Sequence, residues 1–482
     1  MTRRTKILAT LGPATDKGSV LKKMLAAGVD VVRLNYSHGT ADDQARRAEM
    51  ARKAAAELGR DIGILADLQG PKIRVESFKD GPVELQDGQA FALDTAWPKD
   101  AGTLEVVGCA YTDLPRDVAP GDTLLLNDGA ISMKVEKVEG TRISCTVQVG
   151  GLLSNRKGIN RLGGGLSATA LSFKDRIDIR EAVALDVDFI AVSFPRSAAD
   201  MMEARNLVRE AGGQAALIAK IERAEALLEL PEIVGASDGV MVARGDLGVE
   251  IGDAELPGWQ KKIIHQAREQ NRLVITATQM MESMIASPIP TRAEVLDVAN
   301  AVMDGTDAVM LSAETASGKY PVKVVEAMAR VCQGAEKAAP PAERIRLEGH
   351  FERTDEAIAM ATTWTARNMH AQAIIALTES GSTPLLMSRT DTRMPIFALT
   401  RHERTRRRMG LVRGVYPVDF TPISITAPIR EAVAMLVERK LLKIGDRVLL
   451  TKGDFTGPGG TNEMKILKVG DAGMEFGARG GG

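Results

Sequence analysis

The fold is decided by LIAKIE (residues 217–222) and VMVARGD (residues 240–246), two neighbouring apolar runs that each end in charged residues. Runs of this length, rich in Val, Ile and Leu, are typical of strands buried on both faces of a parallel sheet. Lys220 and Glu222 are two residues apart, so a strand here points both side chains to the same side. Asp246 is expected to end the next strand.

Six further runs have the same form, and helix-like segments separate most of them. The runs are KILATLG (6–12), VVRLNYSH (31–38), IGILADLQ (62–69), FIAVSF (189–194), LVITATQ (273–279) and AVMLSAE (308–314). The helix-like segments include residues 40–58, 197–211 and 291–303. Eight strands alternating with helices predict an α/β fold, the (β/α)8 TIM barrel. Catalytic groups in that fold lie at the C-terminal ends of the strands. The ends predicted here carry Arg33, Asn35, Asp67, Lys220, Glu222, Asp246 and Thr278.

A long segment with a different pattern, residues 71–171, follows the third run. Apolar and polar residues alternate in it between turns, as in LLLNDGAIS (124–132) and around Glu139-Gly140. This pattern predicts antiparallel strands, so we expect an inserted β-barrel domain. An insertion that starts and ends at the top of a barrel can act as a lid. The barrel itself is predicted from residues 1–70 and 172–340.

A third pattern begins at the linker-like Ala338-Ala339-Pro340-Pro341. Helical segments alternate there with the apolar runs AIIAL (373–377), PIFAL (395–399) and RVLL (447–450). They predict an open-sheet α/β domain over residues 341–482. Its last residues, 480–482, are expected to be disordered.

The composition is that of a globular protein with several domains. The chain has 482 residues, 44% hydrophobic and 26% charged, and its net charge is −1. This length exceeds what one hydrophobic core supports, and this charge gives no reason to expect nucleic acid or a membrane as a partner. The three cysteines form no zinc or disulfide pattern. The sequence shows neither a secretory signal nor a spanning segment, so we expect a soluble cytoplasmic protein.

The charged ends of the runs LIAKIE (217–222) and VMVARGD (240–246) suit a magnesium site for phosphoryl transfer. Two carboxylates from adjacent strands, Glu222 and Asp246, can hold a hard divalent cation and leave positions open for substrate oxygens. Lys220 beside that ion can neutralise charge on a transferring phosphoryl group. The alternative is an ion pair without a ligand, in which Lys220 balances the two acids.

The end of the second strand suits anion and monovalent-cation binding. Arg33, Asn35 and Ser37 are expected to point one way. They offer a guanidinium for phosphate or carboxylate, then an amide and a hydroxyl for a monovalent cation. The alternative is that Asn35 and Ser37 form a turn that caps the following helix, and that His38 only starts this helix.

Seven stretches taken together resemble the pyruvate kinases. They are TKILATLGPAT (5–15), RLNYSHG (33–39), ADLQGPKIR (66–74), LIAKIERAEAL (217–227), MVARGDLGVEI (241–251), TATQMMESM (276–284) and LSAETASGKYP (311–321). They follow the family's order and cover the barrel, and the inserted and C-terminal segments match in place and size. The resemblance implies transfer of the phosphoryl group of phosphoenolpyruvate to ADP in a homotetramer, with Mg2+ as the expected ion and Mn2+ as an alternative.

The resemblance implies roles for the residues at the barrel end. Glu222 and Asp246 would bind the catalytic Mg2+, while Lys220 and Arg33 would hold the phosphoryl group. Backbone N–H groups near Gly245 and Asp246, which are expected to precede a helix, would bind the carboxylate of the substrate.

The resemblance further implies a proton path and a nucleotide site. Thr278 would help to convert the enolate of pyruvate into the ketone, sharing this role with water because its hydroxyl is a weak acid. The residues that resemble those around the nucleotide phosphates are Asn35, His38, Arg74 and Lys157. Lys157 lies in the inserted segment, so closure of the lid would bring its charge onto ADP.

One departure from the family concerns the monovalent cation. Many pyruvate kinases need K+, and these have Glu where this chain has Lys72 and a small hydroxyl residue where it has Val75. We expect the ammonium group of Lys72 to lie near Asn35, Ser37 and Asp67 and to replace the charge of K+. The enzyme is therefore predicted not to require K+. The alternative is that Lys72 points elsewhere and a cation still binds.

The sequence TESGST (378–383) is a candidate effector site, because it follows a predicted strand and opens a helix. Its hydroxyl and N–H groups suit a phosphate, although such a stretch alone is also typical of a helix cap. The corresponding loop of the family binds a phosphorylated effector, which here would meet Thr378, Ser380, Ser382 and Thr383. Residues 453–462, which often complete that site, contain no basic residue. This favours a sugar monophosphate or a nucleotide over a bisphosphate.

Two other functions fit parts of the pattern. A metal-dependent pyruvate-enolate lyase or aldolase needs the two acids but neither Lys220 and Arg33 nor an inserted lid. A catalytically dead metabolite sensor predicts damage to Lys220, Glu222, Asp246 or Thr278, and the chain retains all four.

Overall fold

The computed structural model describes residues 3–339, 351–390, 392–423, 428–453 and 460–471. The end predicted to be disordered, the two prolines of the linker and residues 454–459 of the tail loop lie outside these ranges. Within them, no helix is both long enough and apolar enough to cross a membrane.

The strands form four sheets. In chain order they are β1 (Lys6–Thr10), β2 (Val31–Asn35), β3 (Gly63–Asp67), β4 (Val83–Leu85), β5 (Ala90–Asp94), β6 (Val106–Gly108), β7 (Thr123–Leu126), β8 (Ile131–Glu139), β9 (Arg142–Val149), β10 (Gly151–Leu153), β11 (Ile159–Arg161), β12 (Phe189–Val192), β13 (Ala216–Ile221), β14 (Gly239–Ala243), β15 (Leu273–Ala277), β16 (Ala308–Leu311), β17 (Ala373–Leu377), β18 (Ile396–Thr400), β19 (Val415–Asp419), β20 (Arg447–Gly453) and β21 (Thr461–Lys468).

Helices separate most of the parallel strands. They are α1 (Val20–Ala27), α2 (Ala41–Glu57), α3 (Leu114–Asp117), α4 (Phe173–Ala184), α5 (Ala198–Glu210), α6 (Ala224–Leu228), α7 (Leu230–Ala236), α8 (Arg244–Ile251), α9 (Leu256–Glu269), α10 (Arg292–Met303), α11 (Ala313–Ala316), α12 (Pro321–Ala338), α13 (Thr354–Asn368), α14 (Ser382–Ser388), α15 (Glu403–Met409) and α16 (Pro428–Glu438), with a 3-10 helix at Glu282–Ile285.

The predicted barrel is confirmed. Its strands close in the order β1-β16-β15-β14-β13-β12-β3-β2, and all neighbours are parallel. Alternate residues of a strand face different layers: Ile7 and Ala9 pack in a cluster with Met24 of α1, whereas Leu8 packs with Leu65. Burial on both faces explains why the strands are apolar throughout.

The three helices predicted from residues 40–58, 197–211 and 291–303 are confirmed as α2, α5 and α10. Each begins with a capping box, in which the cap hydroxyl and an acid three residues later bond to each other's backbone N–H. The cap residues are Thr40, Ser197 and Thr291.

The inserted segment forms a six-stranded sheet in the order β11-β7-β8-β9-β5-β6 and a small sheet of β10 and β4. The predicted antiparallel pairs β7–β8 and β8–β9 are present. One pair differs from the prediction, because β5 and β6 run parallel. Residues 95–105 lead the chain back to the beginning of β5, which makes a parallel pair possible.

The C-terminal domain is an open sheet in the order β19-β18-β17-β20-β21. The three predicted strands are present as β17, β18 and β20, but β19 and β21 were missed. Both are edge strands, and their sequences carry the Pro417 and the charged residues that such positions tolerate. This domain lies against the N-terminal ends of the barrel strands, where Lys6 Nζ donates to Val415 O at 2.6 Å.

Candidate active site

Four charged side chains from β2, β3 and β13 meet at the C-terminal end of the barrel. Arg33 Nε donates to Asp67 Oδ2 at 2.6 Å. Lys220 Nζ lies 3.3 Å from Asp67 Oδ1 and 2.9 Å from Glu222 Oε1. The structure thus brings together the phosphate-binding and metal-binding candidates that lie far apart in the sequence.

Mutual pairing keeps Asp67 and Lys220 charged although both are buried. Burial alone would raise the pKa of Asp67, but the nearby Arg33 and Lys220 outweigh this effect and hold that pKa below its usual value. Burial would lower the pKa of Lys220, but Asp67 and Glu222 raise it. Lys220 therefore carries a full positive charge next to the site.

Glu222 and Asp246 have the properties of a binding site for a divalent cation. Glu222 is 2% exposed, and its Oε2 accepts the N–H of Phe194 at 2.9 Å. Burial raises the pKa of Glu222; Lys220 lowers it, and the charge of Asp246 raises it again. A cation between the two acids would remove this repulsion. In the described part of the chain no cluster of three or more such ligands occurs.

Asp246 and Gly245 lie in a helix rather than at a strand end. We expected Asp246 to end a strand and both residues to precede a helix, but β14 ends at Ala243 and α8 begins at Arg244. The strand passes into the helix without a loop, so both residues occupy the first helical turn. N–H groups in a first turn have no acceptor within the helix, and that of Gly245 donates to Thr278 Oγ1 at 2.9 Å.

Thr278 follows β15 and is held by a residue that the sequence analysis missed. Its backbone has a φ of 66°, and its hydroxyl donates to Ala277 O at 2.6 Å. Arg244 donates from Nη2 to Thr278 O at 2.6 Å and from Nε to Ala277 O at 3.1 Å. Arg244 also pairs with Asp297 at 2.7 Å. The sequence feature that could have identified Arg244 is its place at the end of the apolar run 240–246, directly before Gly245.

Ser193 is a second missed residue. Its hydroxyl accepts a hydrogen bond from Lys220 Nζ at 2.7 Å and donates to Leu68 O at 2.8 Å. Ser193 is 1% exposed, so the ammonium group of Lys220 is bonded to a buried hydroxyl. A lone serine after an apolar run has no distinctive pattern, and the sequence analysis gave it no role.

Lys72 does not lie where it was expected. Its ammonium group contacts Asp246 Oδ1 at 2.9 Å and Asp128 Oδ1 at 3.6 Å, instead of Asn35, Ser37 and Asp67. Asp67 already pairs with Arg33 and Lys220, and Lys72 pairs instead with Asp246 and Asp128. The prediction that Lys72 lies beside the three candidate monovalent-cation ligands is therefore wrong.

Asn35 and Ser37 form the local turn that was considered as the alternative. Asn35 Oδ1 accepts the N–H of Ser37 at 3.1 Å. The turn does not cap α2, because Thr40 does so. Burial, followed by the charges of Arg74 and Arg33, lowers the pKa of His38. The neutral imidazole thus lies within the field of two candidate phosphate-binding arginines.

The predicted nucleotide residues of the insertion lie on a pair of neighbouring segments. Arg74 forms an antiparallel bridge with Gly158, and its Nη1 donates to Arg156 O at 2.9 Å. The carbonyl of the half-buried Lys157 accepts the N–H of Val75 at 2.9 Å. These bonds connect the first segment of the insertion, around Arg74, with the segment around Lys157 that leads into β11.

The candidate effector loop uses several of its hydroxyl groups locally. Thr378 Oγ1 accepts the N–H of Gly381 at 3.0 Å, and Ser380 Oγ accepts that of Ser382 at 3.3 Å. Thr383 pairs with Thr461 of the edge strand β21 at 2.6 Å. The N-cap of α14 is Gly381 and no side chain makes the cap hydrogen bond, so these hydroxyl groups bond within the loop and do not cap the helix.

Comparisons with known proteins show the family to which the chain belongs. The family described as pyruvate kinase, barrel domain, matches residues 2–325, and the one described as pyruvate kinase, alpha/beta domain, matches residues 356–467. The chain is 54% identical to pyruvate kinase II of Salmonella typhimurium over 474 residues, 97% of this chain and 99% of that protein. It is 54% identical to pyruvate kinase of Haemophilus influenzae over 97% of this chain and 99% of that protein. It is 40% identical to pyruvate kinase of Geobacillus stearothermophilus over 98% of this chain and 81% of that protein. The chain belongs to the pyruvate kinase family and is therefore a phosphotransferase.

Proposed function

We propose that this chain transfers the phosphoryl group of phosphoenolpyruvate to ADP, giving pyruvate and ATP, with Mg2+ as the divalent ion. The observation that carries the proposal is the connected set of Arg33, Asp67, Lys220 and Glu222, at the end of the barrel where Asp246 lies in the first turn of α8. Family membership supplies the reaction, and this geometry supports the assignment of the residues.

Each residue has one task in this proposal. Lys220 and Arg33 hold the phosphoryl group and offset its charge during transfer. Glu222 and Asp246 hold Mg2+, which supplies Lewis-acid charge to the substrate oxygens when bound. The N–H groups in the first turn of α8 bind the carboxylate of the substrate. The hydroxyl of Thr278, with water, delivers the proton to the enolate.

The proposed nucleotide site combines the barrel and the insertion. Asn35 and His38 follow β2, whereas Arg74 and Lys157 lie on the two connections of the insertion. Closure of the insertion, here residues 71–171, would bring the cationic groups onto the phosphates of ADP and exclude water.

We also propose that the enzyme does not need K+. Lys72, Lys220 and Arg33 balance the charges of Asp67, Glu222 and Asp246 without a monovalent ion. A second reason is that the carboxylate of Asp67 is already paired with Arg33 and Lys220, so it is not available as an unpaired ligand for K+.

A coupled assay tests both proposals. Pyruvate formation from phosphoenolpyruvate and ADP would be followed with lactate dehydrogenase and Mg2+, either with K+ or with a bulky organic cation. Equal activity in both salts is expected. Strong stimulation by K+ would keep the reaction and discard the proposed independence from K+. Absence of activity in both salts, with candidate effectors added, would favour the dead metabolite sensor.

The C-terminal domain is proposed to bind a phosphorylated activator at Thr378, Ser380, Ser382 and Thr383. Support comes from the hydroxyl groups gathered at the beginning of α14 and from a cationic group beside them, Arg401, which lies 3.5 Å from Glu379. A sugar monophosphate or a nucleotide is expected to lower the KM for phosphoenolpyruvate. Kinetics unchanged by every such compound would remove the proposal.

The homotetramer, the cytoplasmic location and the domain boundaries at residues 70, 171 and 340 remain predictions.

A further inference from the structure

Lys72, the second residue of the insertion, lies between the barrel and the turn that connects β7 and β8. Its ammonium group lies 2.9 Å from Asp246 of α8 and 3.6 Å from Asp128, in the turn between β7 and β8. A Cβ atom added to Gly158 would lie 3.1 Å from Cε of Lys72, so residue 158 packs closely against this side chain. The lysine side chain is 23% exposed and that of Asp246 20%.

The turn that carries Asp128 is built for a defined geometry. Asn127, Asp128 and Gly129 all have positive φ, at 52°, 55° and 87°. The N–H of Asn127 donates to Gly158 O at 3.2 Å, which ties this turn to the segment beside Lys72. The carboxylate of Asp128 is therefore presented to Lys72 by a short, constrained loop of the insertion.

We propose that Lys72 is an internal counter-ion that occupies Asp246 while the divalent ion is absent and is transferred to Asp128 of the insertion when the ion binds. This inference rests on the proposed assignment of Asp246 to the metal ion. An ammonium group and a divalent cation compete for the same carboxylate oxygen, since both are attracted to one charge. Once displaced, the ammonium group retains Asp128 as its only acidic contact among the described side chains. Occupation of the metal site thereby replaces a contact between the insertion and the barrel, Lys72 with Asp246, by a contact within the insertion, Lys72 with Asp128.

Direct metal binding without substrate tests the first step. The Kd of Mn2+ would be measured by electron paramagnetic resonance of the free ion, in wild type and in Lys72→Gln. Removal of the competing charge should tighten binding about 2- to 10-fold, the range typical of a partly exposed ion pair. The control is Lys79→Gln, which removes an exposed lysine of the insertion and should leave the Kd unchanged. Unchanged or weaker binding in Lys72→Gln, or equal tightening in both variants, would overturn the proposal.

A double-mutant comparison tests the second step. Asp128→Asn leaves Lys72 with Asp246 alone, so Mn2+ should bind about 2- to 3-fold more weakly in the wild-type background. In the Lys72→Gln background the same substitution should have no effect. An equal weakening in both backgrounds would mean that Asp128 acts on the ion directly, which contradicts the transfer.

Asp246→Asn separates this inference from the proposed function on which it rests. If Asp246 is a metal ligand, Asp246→Asn weakens Mn2+ binding strongly, and only the response of Lys72→Gln decides the counter-ion role. If Asp246→Asn leaves Mn2+ binding unchanged, the metal assignment itself fails. Thermal unfolding of each variant would confirm that the compared proteins are folded.

Discussion

Thr278 occupies a backbone conformation that is costly for a β-branched residue. Its φ of 66° lies in the left-handed region, where threonine is an outlier. The guanidinium group of Arg244, bonded to the carbonyls of Ala277 and Thr278, offsets this cost by holding both peptide units. Strain of this kind persists only where neighbours stabilise it, and it is concentrated at functional sites. The result is a hydroxyl fixed against the first turn of α8.

Thr278→Val is expected to slow proton transfer to the substrate, because it preserves the shape of the side chain and removes the hydroxyl. Exchange of the methyl protons of pyruvate with deuterated water, followed by NMR with Mg2+ and ATP present, should fall by about 100-fold or more. Thr278→Ser, which keeps the hydroxyl, should retain most of the exchange. Normal exchange in a folded Thr278→Val protein would rule out the proposed proton path.

Lys220→Met is expected to lower kcat by about 100- to 1,000-fold, since it removes a fixed positive charge from the position of the transferring phosphoryl group. The substitution also leaves Asp67 and Glu222 without one of their counter-ions, so the unfolding temperature should fall as well. Steady-state kinetics and thermal unfolding would be measured together, with Lys79→Met as a matched control. A folded variant with wild-type kcat would exclude Lys220 from the reaction.

At the scale of elements, the return of the insertion to the barrel depends on contacts with α6 and α8. Three successive glycines, Gly163 to Gly165, have φ values of 84°, 78° and 95°, which other residues rarely adopt. The N–H of Gly163 donates to Glu250 O at 2.9 Å, and Arg223 Nη1 donates to Leu166 O at 3.0 Å. The side chain of Glu250 accepts the N–H of Ala224 at 2.9 Å. The conformationally free glycine segment is thus held in place by a few hydrogen bonds around the buried Glu250.

Glu250 makes this connection sensitive to pH. The residue is 4% exposed, and burial raises its pKa from 4.5 to about 7 although the N–H of Ala224 opposes the shift. Between these values the folded chain holds a proton that the unfolded chain has released. The contribution of Glu250 to stability therefore falls as the pH rises from about 4.5 to 7 and is constant above that window.

Glu250→Gln mimics the protonated acid and should therefore raise the unfolding temperature at pH 8. The expected gain in free energy of unfolding at that pH is about 1–3 kcal/mol, with little change at pH 5. Thermal unfolding at both pH values measures it, and Glu225→Gln on the neighbouring α6 serves as the comparison. A gain of equal size at both pH values would contradict a role for the proton.

At the scale of the molecule, buried ion pairs join the C-terminal domain to the end of the barrel opposite the active site. Arg389 lies 2.5 Å from Asp307 Oδ1, and the N–H of Arg413 donates to the same oxygen at 3.0 Å. Arg407 pairs with Asp188 at 2.8 Å and Asp186 at 2.7 Å. Asp307 and Asp188 are fully buried. These pairs therefore fix the C-terminal domain to the barrel.

Arg389→Leu should lower the free energy of unfolding by about 3–5 kcal/mol, because it leaves the carboxylate of Asp307 buried without its main counter-ion. Arg404→Gln, which breaks a pair with Asp186 at a half-exposed arginine, should cost at most about 1 kcal/mol. Chemical denaturation of both variants provides the comparison. Equal, small losses in the two variants would show that the buried pair of Arg389 and Asp307 does not hold the C-terminal domain to the barrel.

Much of the barrel and of its site could be predicted because the relevant signals are local. Apolar runs, capping boxes at Thr40 and Ser197, and the side of the strand shared by Lys220 and Glu222 depend on residues a few positions apart. The edge strands β19 and β21 were missed because edge sequences lack the continuous apolar run on which the other predictions depended. Strand ends were predicted too long, since the chain enters α8 directly after Ala243.

By itself the sequence determined the (β/α)8 architecture, the place of the insertion and the chemistry available at the strand ends, because periodicity and family motifs act along the chain. Only the tertiary structure decided that Lys72 pairs with Asp246 and Asp128, that Arg244 supports Thr278, and that Asp307 is neutralised by Arg389. The partners in these contacts lie tens of residues or more apart. Which charges meet depends on packing that brings distant elements within a few ångströms, and on burial that makes each unpaired charge costly.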